Sequence, residues 1–152
     1  MKKRETVVTK STQETMAIAA RYATTLRGGD VVCLQGDLGG GKTTFAQGIL
    51  AALDTQKPYS SPTFTIIRTY AIQKTANNKR QANDIVTIHH VDPYRVSQED
   101  VRRIGWEEMI ADPHALMIIE WPERIIELIP SHAHFVTCTL VDDTTHMITF
   151  PS

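Results

Sequence analysis

Cysteine is almost missing from this chain: Cys33 and Cys138 are the only two in 152 residues. Two thiols cannot make the disulfide framework of a small secreted module. Each lies inside an apolar, strand-like run, so free core thiols in a reducing compartment are expected. Zinc-ligand spacing is missing too. His89 and His90 are adjacent and would point to opposite faces of a strand, and His132 and His134 share a face near an expected sheet edge. The six histidines therefore read as structural or surface residues. Net charge is nearly absent, with 16 Lys+Arg against 17 Asp+Glu. No global field draws such a protein onto nucleic acid or an anionic membrane, so a nucleic-acid role has to come through partners or a local patch. No apolar run approaches the roughly 20 residues of a membrane span. The basic start, MKKRETVVTK, is followed by neither an apolar h-region nor a small-residue cleavage site, so it does not read as a secretory signal. What is there, 41% hydrophobic and 22% charged residues, is ordinary globular composition. The length suffices for one domain with a real core and not for two. The expectation is a cytoplasmic single domain over residues 1–152.

Along the chain, residues 5–9 (ETVVT) predict a short strand. Ser11 and Glu14 have the S-x-x-E spacing of a capping box and predict a helix to about residue 26, ended by Gly28-Gly29. Residues 30–35 (DVVCLQ) are a continuous apolar run, as for a strand buried on both faces. A glycine-rich segment follows, then a helix over 43–53 with Phe45, Ile49 and Leu53 at helical spacing. Residues 63–72 and 85–91 predict strands, and the polar stretch between them a protruding hairpin loop. Residues 97–111 are helical in pattern but interrupted at Gly105. Residues 116–121 (LMIIEW) predict another buried strand, and Pro122 starts a short helix to about residue 128. Residues 135–141 and 146–150 predict a closing hairpin.

The chemistry concentrates in residues 36–43, which match G-x-x-x-x-G-K-S/T at every fixed position. Four of the chain's eight glycines fall between Gly36 and Gly41, which a mere turn does not require. Glycines let successive backbone N–H groups curl toward phosphate oxygens. The loop empties into a helix N-terminus, whose orphan amides favour an anion. Leu38, Gly39, Gly40, Gly41, Lys42, Thr43 and Thr44 are thus the candidate nucleotide-binding residues. Lys42 can reach the β- and γ-phosphates, and the Thr43 hydroxyl can ligate Mg²⁺. Two acids end apolar runs, Glu120 in the manner of a Walker B position and Asp92 likewise. Either alone can equally be a solvated or capping group. Both would lie at the carboxyl ends of strands, where an open α/β sheet holds its ligand, so both join Thr43 as candidate metal-side residues. With Lys42 they form the candidate catalytic set. Trp106 and Trp121 read most simply as core or rim residues, and Arg95 and Arg124 as surface ion-pairing residues that can also face phosphates. A guanine reader, N-K-x-D after an apolar strand, is not found. The nearest string, Asn78-Lys79-Arg80-Gln81, lacks the Asp, and adenine is the better expectation.

GDLGGGKTTFAQGIL, SPTFTIIRTY, HVDPYRV, GWEEMI and IEWPER occur in this order and together resemble the TsaE (YjeE) family of tRNA threonylcarbamoyladenosine biosynthesis proteins, from residue 11 to residue 124. The resemblance implies an α/β, P-loop NTPase-like three-layer sandwich with a mixed parallel and antiparallel sheet. It implies an ATP/ADP- and Mg²⁺-dependent weak ATPase that acts with TsaD and TsaB on adenosine 37 of tRNAs reading ANN codons, meeting tRNA through the complex and no membrane. By motif it makes Lys42 and Thr43 phosphate and Mg²⁺ ligands, Glu120 a metal-side acid, and Asp92 the second essential carboxylate. Trp121 comes to lie near the site, and Ser61-Pro62-Thr63-Phe64 become a loop that answers to the γ-phosphate. The base is left to the chain edges around Lys10 and the final hairpin. Gly40 stands where the family commonly has Ala, which is expected to loosen the loop, and Pro93 and residues 143–145 also depart from the pattern. A nucleotide-dependent adaptor, or a small-molecule kinase, are the alternative readings.

Overall fold

Two apolar runs, buried on both faces, make the centre of the sheet. The computed structural model describes residues 3–59, 62, 65–73 and 84–152. Its strands are β1 (Arg4–Thr9), β2 (Val31–Gln35), β3 (Ile67–Ala71), β4 (Thr87–Val91), β5 (Ala115–Glu120), β6 (His134–Leu140) and β7 (His146–Pro151). The helices are α1 (Thr12–Ala23), α2 (Lys42–Ala52), α3 (Gln98–Arg103) and α4 (Trp106–Ala111), and a 3₁₀ segment covers Pro122–Leu128. All seven strands form one sheet in the order β1-β7-β6-β2-β5-β4-β3. The four inner strands β6, β2, β5 and β4 run parallel. The flanking pairs β1–β7, β6–β7 and β3–β4 are antiparallel. This is the expected mixed sheet.

The period-2 alternation of β2 sorts its side chains to two sides. Val32 and Leu34 join Phe45, Ile49, Ala19 and Tyr22 beneath α1 and α2, whereas Val31 and Cys33 join Val101, Trp106 and Ile125 beneath the other helical layer. The result is helices, sheet, helices, the three-layer sandwich. Cys138 packs in the first core and Cys33 in the second, so the sheet itself separates the two thiols. Both are free and fully buried, and burial pushes each thiol up to about 12. At pH 8 the thiolate fraction is then on the order of 10⁻⁴. Iodoacetamide is expected to leave both unmodified in the folded protein and to alkylate both in denaturant, read by intact mass. Rapid alkylation of either in the folded protein would contradict this packing.

Three local expectations are corrected. Helix α1 ends at Ala23, where Thr24, Thr25 and Leu26 make tightening bonds to the carbonyls three residues back. Gly28-Gly29 is therefore part of the turn into β2, not the helix terminator. Ser11 does accept from the Glu14 amide, but Glu14 reaches back to the amide of Lys10, not that of Ser11. Strand β6 is an interior strand between β7 and β2, not an edge, and His134 on it meets the Tyr22 hydroxyl at 3.1 Å. Residues 60, 61, 63 and 64 of the SPTF region and residues 74–83, including Asn78 to Gln81, lie outside the described residues.

Candidate functional site

The parallel neighbours β2, β5 and β4 end side by side, and their ends carry the glycine loop, Glu120 and Asp92. The turn out of β2 depends on Gly36. Its φ is +134°, and a Cβ there would stand 2.0 Å from the Cys138 carbonyl oxygen of β6. Gly40 meets the same oxygen: a Cβ would lie 2.5 Å from it. Gly40 therefore serves a close approach of loop to strand. Gly41, with φ 94°, caps α2 without any side-chain hydrogen bond. The first-turn amides of α2 thus carry the orphan donors and partial positive charge of a helix start toward the loop.

Lys42 is the first residue of that helix and is 6% exposed. Its ammonium donates to the carbonyls of Gly36 and Asp37, the latter at 2.9 Å, and lies 4.0 Å from the centre of the Trp121 ring. Trp121 is not part of β5. It leaves the strand in the left-handed region, φ 51° and ψ 51°, immediately before Pro122, a conformation that costs about 1–3 kcal/mol and needs surrounding structure to hold it. The ring it positions is flanked by Tyr94 at 4.8 Å, over which the Arg124 guanidinium sits at 5.0 Å.

Glu120 is 2% exposed. The Thr43 hydroxyl donates to its Oε1 at 2.9 Å, and His90 Nε2 lies 2.8 Å from its Oε2. Because the Thr43 proton is directed to Glu120, the hydroxyl lone pairs remain for a cation. Asp92 is also buried, and its Oδ1 accepts from the Tyr94 amide at 3.0 Å. Its own amide donates to Ile66 O at 2.7 Å, tying the end of β4 to the residue that precedes β3.

These groups line a cleft of about 600 Å³. The candidate nucleotide-binding, metal-side and catalytic residues all line it: Leu38, Gly39, Gly40, Gly41, Lys42, Thr43, Thr44, Asp92 and Glu120, with Trp121 and Arg95 beside them. Arg124 reaches the cleft only through Tyr94. Lys10 is not among the lining residues. Thr12, Thr15 and His146 line that end, and His146 Nε2 donates to Gly39 O at 3.0 Å. Sequence reasoning missed His90, which it placed among structural or surface histidines. The available signal was its i, i+2 spacing from Asp92, which puts both on one side of the chain.

A parallel strand, a glycine loop seated on it, a helix opening at the loop's lysine, and a buried acid under the next threonine define the class: an α/β protein built around a P-loop. A model of the threonylcarbamoyl adenosine biosynthesis protein TsaE matches residues 9–148. The chain is 34% identical over 143 residues to the tRNA threonylcarbamoyladenosine biosynthesis protein TsaE of Bacillus subtilis (strain 168), covering 93% of this chain and 82% of that one. It is 32% identical to the TsaE of Treponema pallidum (strain Nichols) over 143 residues, covering 93% and 96%. To the TsaE of Rickettsia bellii (strain RML369-C) it is 36% identical over 138 residues, covering 90% and 87%. The crystal structure of Bacillus subtilis YdiB superposes with a TM-score of 0.75 at 29% identity, covering all of this chain and 87% of that one. The chain belongs to the TsaE family.

Proposed function

We propose that this chain, as a single cytoplasmic domain, is the Mg²⁺-dependent subunit that binds and slowly hydrolyses ATP in threonylcarbamoylation of adenosine 37 in tRNAs reading ANN codons. In this reading it works with TsaD- and TsaB-like proteins and meets tRNA through that complex. The observation that carries the site reading is the Thr43–Glu120 hydrogen bond at 2.9 Å beneath the glycine loop. It joins the motif's hydroxyl to the acid that ends β5, and Lys42 and the first-turn amides of α2 face the same cleft.

The donor set fits a Mg²⁺ shared between protein and phosphate: one hydroxyl with its lone pairs turned outward, and two buried carboxylates. Thr43 would hold the ion directly, and Glu120 would fix the Thr43 hydroxyl and order the ion's waters. The chemistry that Mg²⁺ would supply there is neutralisation of the charge that develops on the phosphate oxygens. The backbone amides at residues 39–44 and the Lys42 ammonium orient the β- and γ-phosphates. Glu120 is placed on the metal side by its hydrogen bond from Thr43, and Asp92, buried in the same cleft at the end of the neighbouring strand, is assigned the attacking water. The water oxygen bonds to the γ-phosphorus as the bond to the β,γ-bridging oxygen breaks, and a water proton leaves by way of Asp92, giving ADP and phosphate. Trp121 and Tyr94 wall the cleft and keep bulk water from the Lys42 ammonium.

Turnover of the parent, Thr43→Ala and Glu120→Ala, alone and with TsaD- and TsaB-like proteins, tests the reading, with binding followed by Trp121 emission. The parent is expected to turn over slowly and to be stimulated by the partners. Each variant is expected to lose about 10²-fold in kcat. Tight ATP binding with no partner-stimulated hydrolysis would leave an adaptor in which occupancy matters. Stimulation by an added hydroxyl compound, and not by proteins, would make the chain a small-molecule kinase.

A further inference from the structure

We propose that His90 is a positioning residue for Glu120 and, through it, for the Thr43 hydroxyl; this rests on the nucleotide-site reading above. His90 lies on β4, next to β5, and is 1% exposed. Its Nε2 is 2.8 Å from Glu120 Oε2, while Glu120 Oε1 takes the Thr43 proton at 2.9 Å. One carboxylate is thus held at both oxygens, by a strand on one side and a helix on the other. A carboxylate only accepts, so Nε2 carries the hydrogen.

The other ring nitrogen sharpens the assignment. His90 Nδ1 is buried and has no hydrogen-bond partner among the described residues. A hydrogen on Nδ1 would be a buried donor with no acceptor among the described residues, which is costly. Placing the hydrogen on Nε2, toward Glu120, avoids it. Both side chains are buried, but the imidazole has two rotatable side-chain bonds and Glu120 has three, at the end of its strand beside the cleft. With the His90 hydrogen bond removed, Oε2 is free to turn to another donor in the cleft and draw Oε1 away from Thr43. The Thr43 hydroxyl then loses the fixed direction in which its lone pairs face a cation. Partners one step behind a metal's own ligands typically contribute 10–100-fold in metal affinity or activity.

The test compares His90→Leu, which removes the donor, with His90→Gln, whose amide nitrogen reaches the place of Nε2. Long-range ¹H–¹⁵N spectra of the parent without nucleotide should place the His90 ring hydrogen on Nε2, not on Nδ1. The Glu120 carboxyl ¹³C resonance should move in His90→Leu and stay near its parental position in His90→Gln. ADP affinity in EDTA should remain within about threefold in both variants. The Mg²⁺ concentration that half-maximally tightens ADP binding should rise about 10–100-fold in His90→Leu, and His90→Gln should recover most of that loss. An Nδ1–H tautomer, a parental Mg²⁺ dependence in His90→Leu, or equal losses with and without metal in both variants would each overturn the proposal. A parent that binds no nucleotide would instead sink the functional reading. The tautomer and the Glu120 resonance would still decide the positioning.

Discussion

On the proposed ATPase reading, replacing Lys42 by methionine is expected to lower kcat/KM for ATP hydrolysis by about 10³-fold, on the order of 4 kcal/mol of transition-state stabilisation. The size follows from where the ammonium sits. It is 6% exposed, bound to the loop carbonyls of Gly36 and Asp37 and 4.0 Å from the Trp121 ring centre. In that setting water screens it poorly, so its attraction for phosphate oxygens exceeds that of a surface lysine. Methionine keeps the stem's apolar volume and removes only the charge and its donors. Folding stability should change far less than the kinetics, by about 1–2 kcal/mol, because the lost hydrogen bonds to two carbonyls are partly offset by not having to bury a charge. Steady-state kinetics and a denaturant melt on the same sample separate the two effects. A Lys42→Met protein with kcat/KM within tenfold of the parent would remove this lysine from the phosphate site.

Gly36→Ala is expected to be the most destabilising single-methyl addition in the loop, at about 4 kcal/mol or more. The new Cβ would stand 2.0 Å from the Cys138 carbonyl oxygen at a φ of +134°. The obstacle is backbone on both sides, so no rotamer relieves it. Either β2 and β6 separate, or the loop abandons its path. Gly39→Ala is the control: φ is +78°, but the nearest atom to a Cβ is a flexible one, Leu140 Cδ2 at 3.7 Å. It should cost only the left-handed preference, about 1–2 kcal/mol. Urea midpoints of the two variants decide the matter, and a Gly36→Ala protein no less stable than Gly39→Ala would mean that the contact with β6 is not rigid.

The parts of this architecture that local pattern determines were legible in the sequence. Continuous apolar runs fixed β2 and β5 as buried strands, the glycine spacing placed the loop, and acids closing apolar runs located Glu120 and Asp92. Ser97 with Asp100 and the positive φ of Gly105 bear out an interrupted helical stretch. Features that depend on contacts between distant segments were not legible. His90 and Glu120 are 30 residues apart and meet only because β4 pairs with β5 in parallel. The left-handed Trp121 opposes both its own Cβ and the following proline, so propensity argues against it and only the stack with Tyr94 and Lys42 accounts for its place. That β6 is interior follows from its pairing with β2 across about a hundred residues of chain, and strand alternation within β6 carries no trace of this. The expectation for that end of the cleft names Lys10 and the final hairpin: His146 of the hairpin does line it, whereas on the N-terminal side the lining residues are Thr12 and Thr15, in the first turn of α1, and not Lys10.

The seating of Gly36 and Gly40 against one carbonyl of β6 has a thermodynamic consequence. Glycine-rich chain is the most freely jointed that proteins possess, and ordering it costs more conformational entropy than ordering any other sequence. Had this loop hung free, that cost would fall on the moment of ligand capture and weaken affinity. Because the loop packs against Cys138 O, part of that entropy is surrendered earlier, when β6 docks on β2, and the cooperative folding of the sheet absorbs it. A strand with no motif of its own thus restricts the paths open to the loop before anything binds.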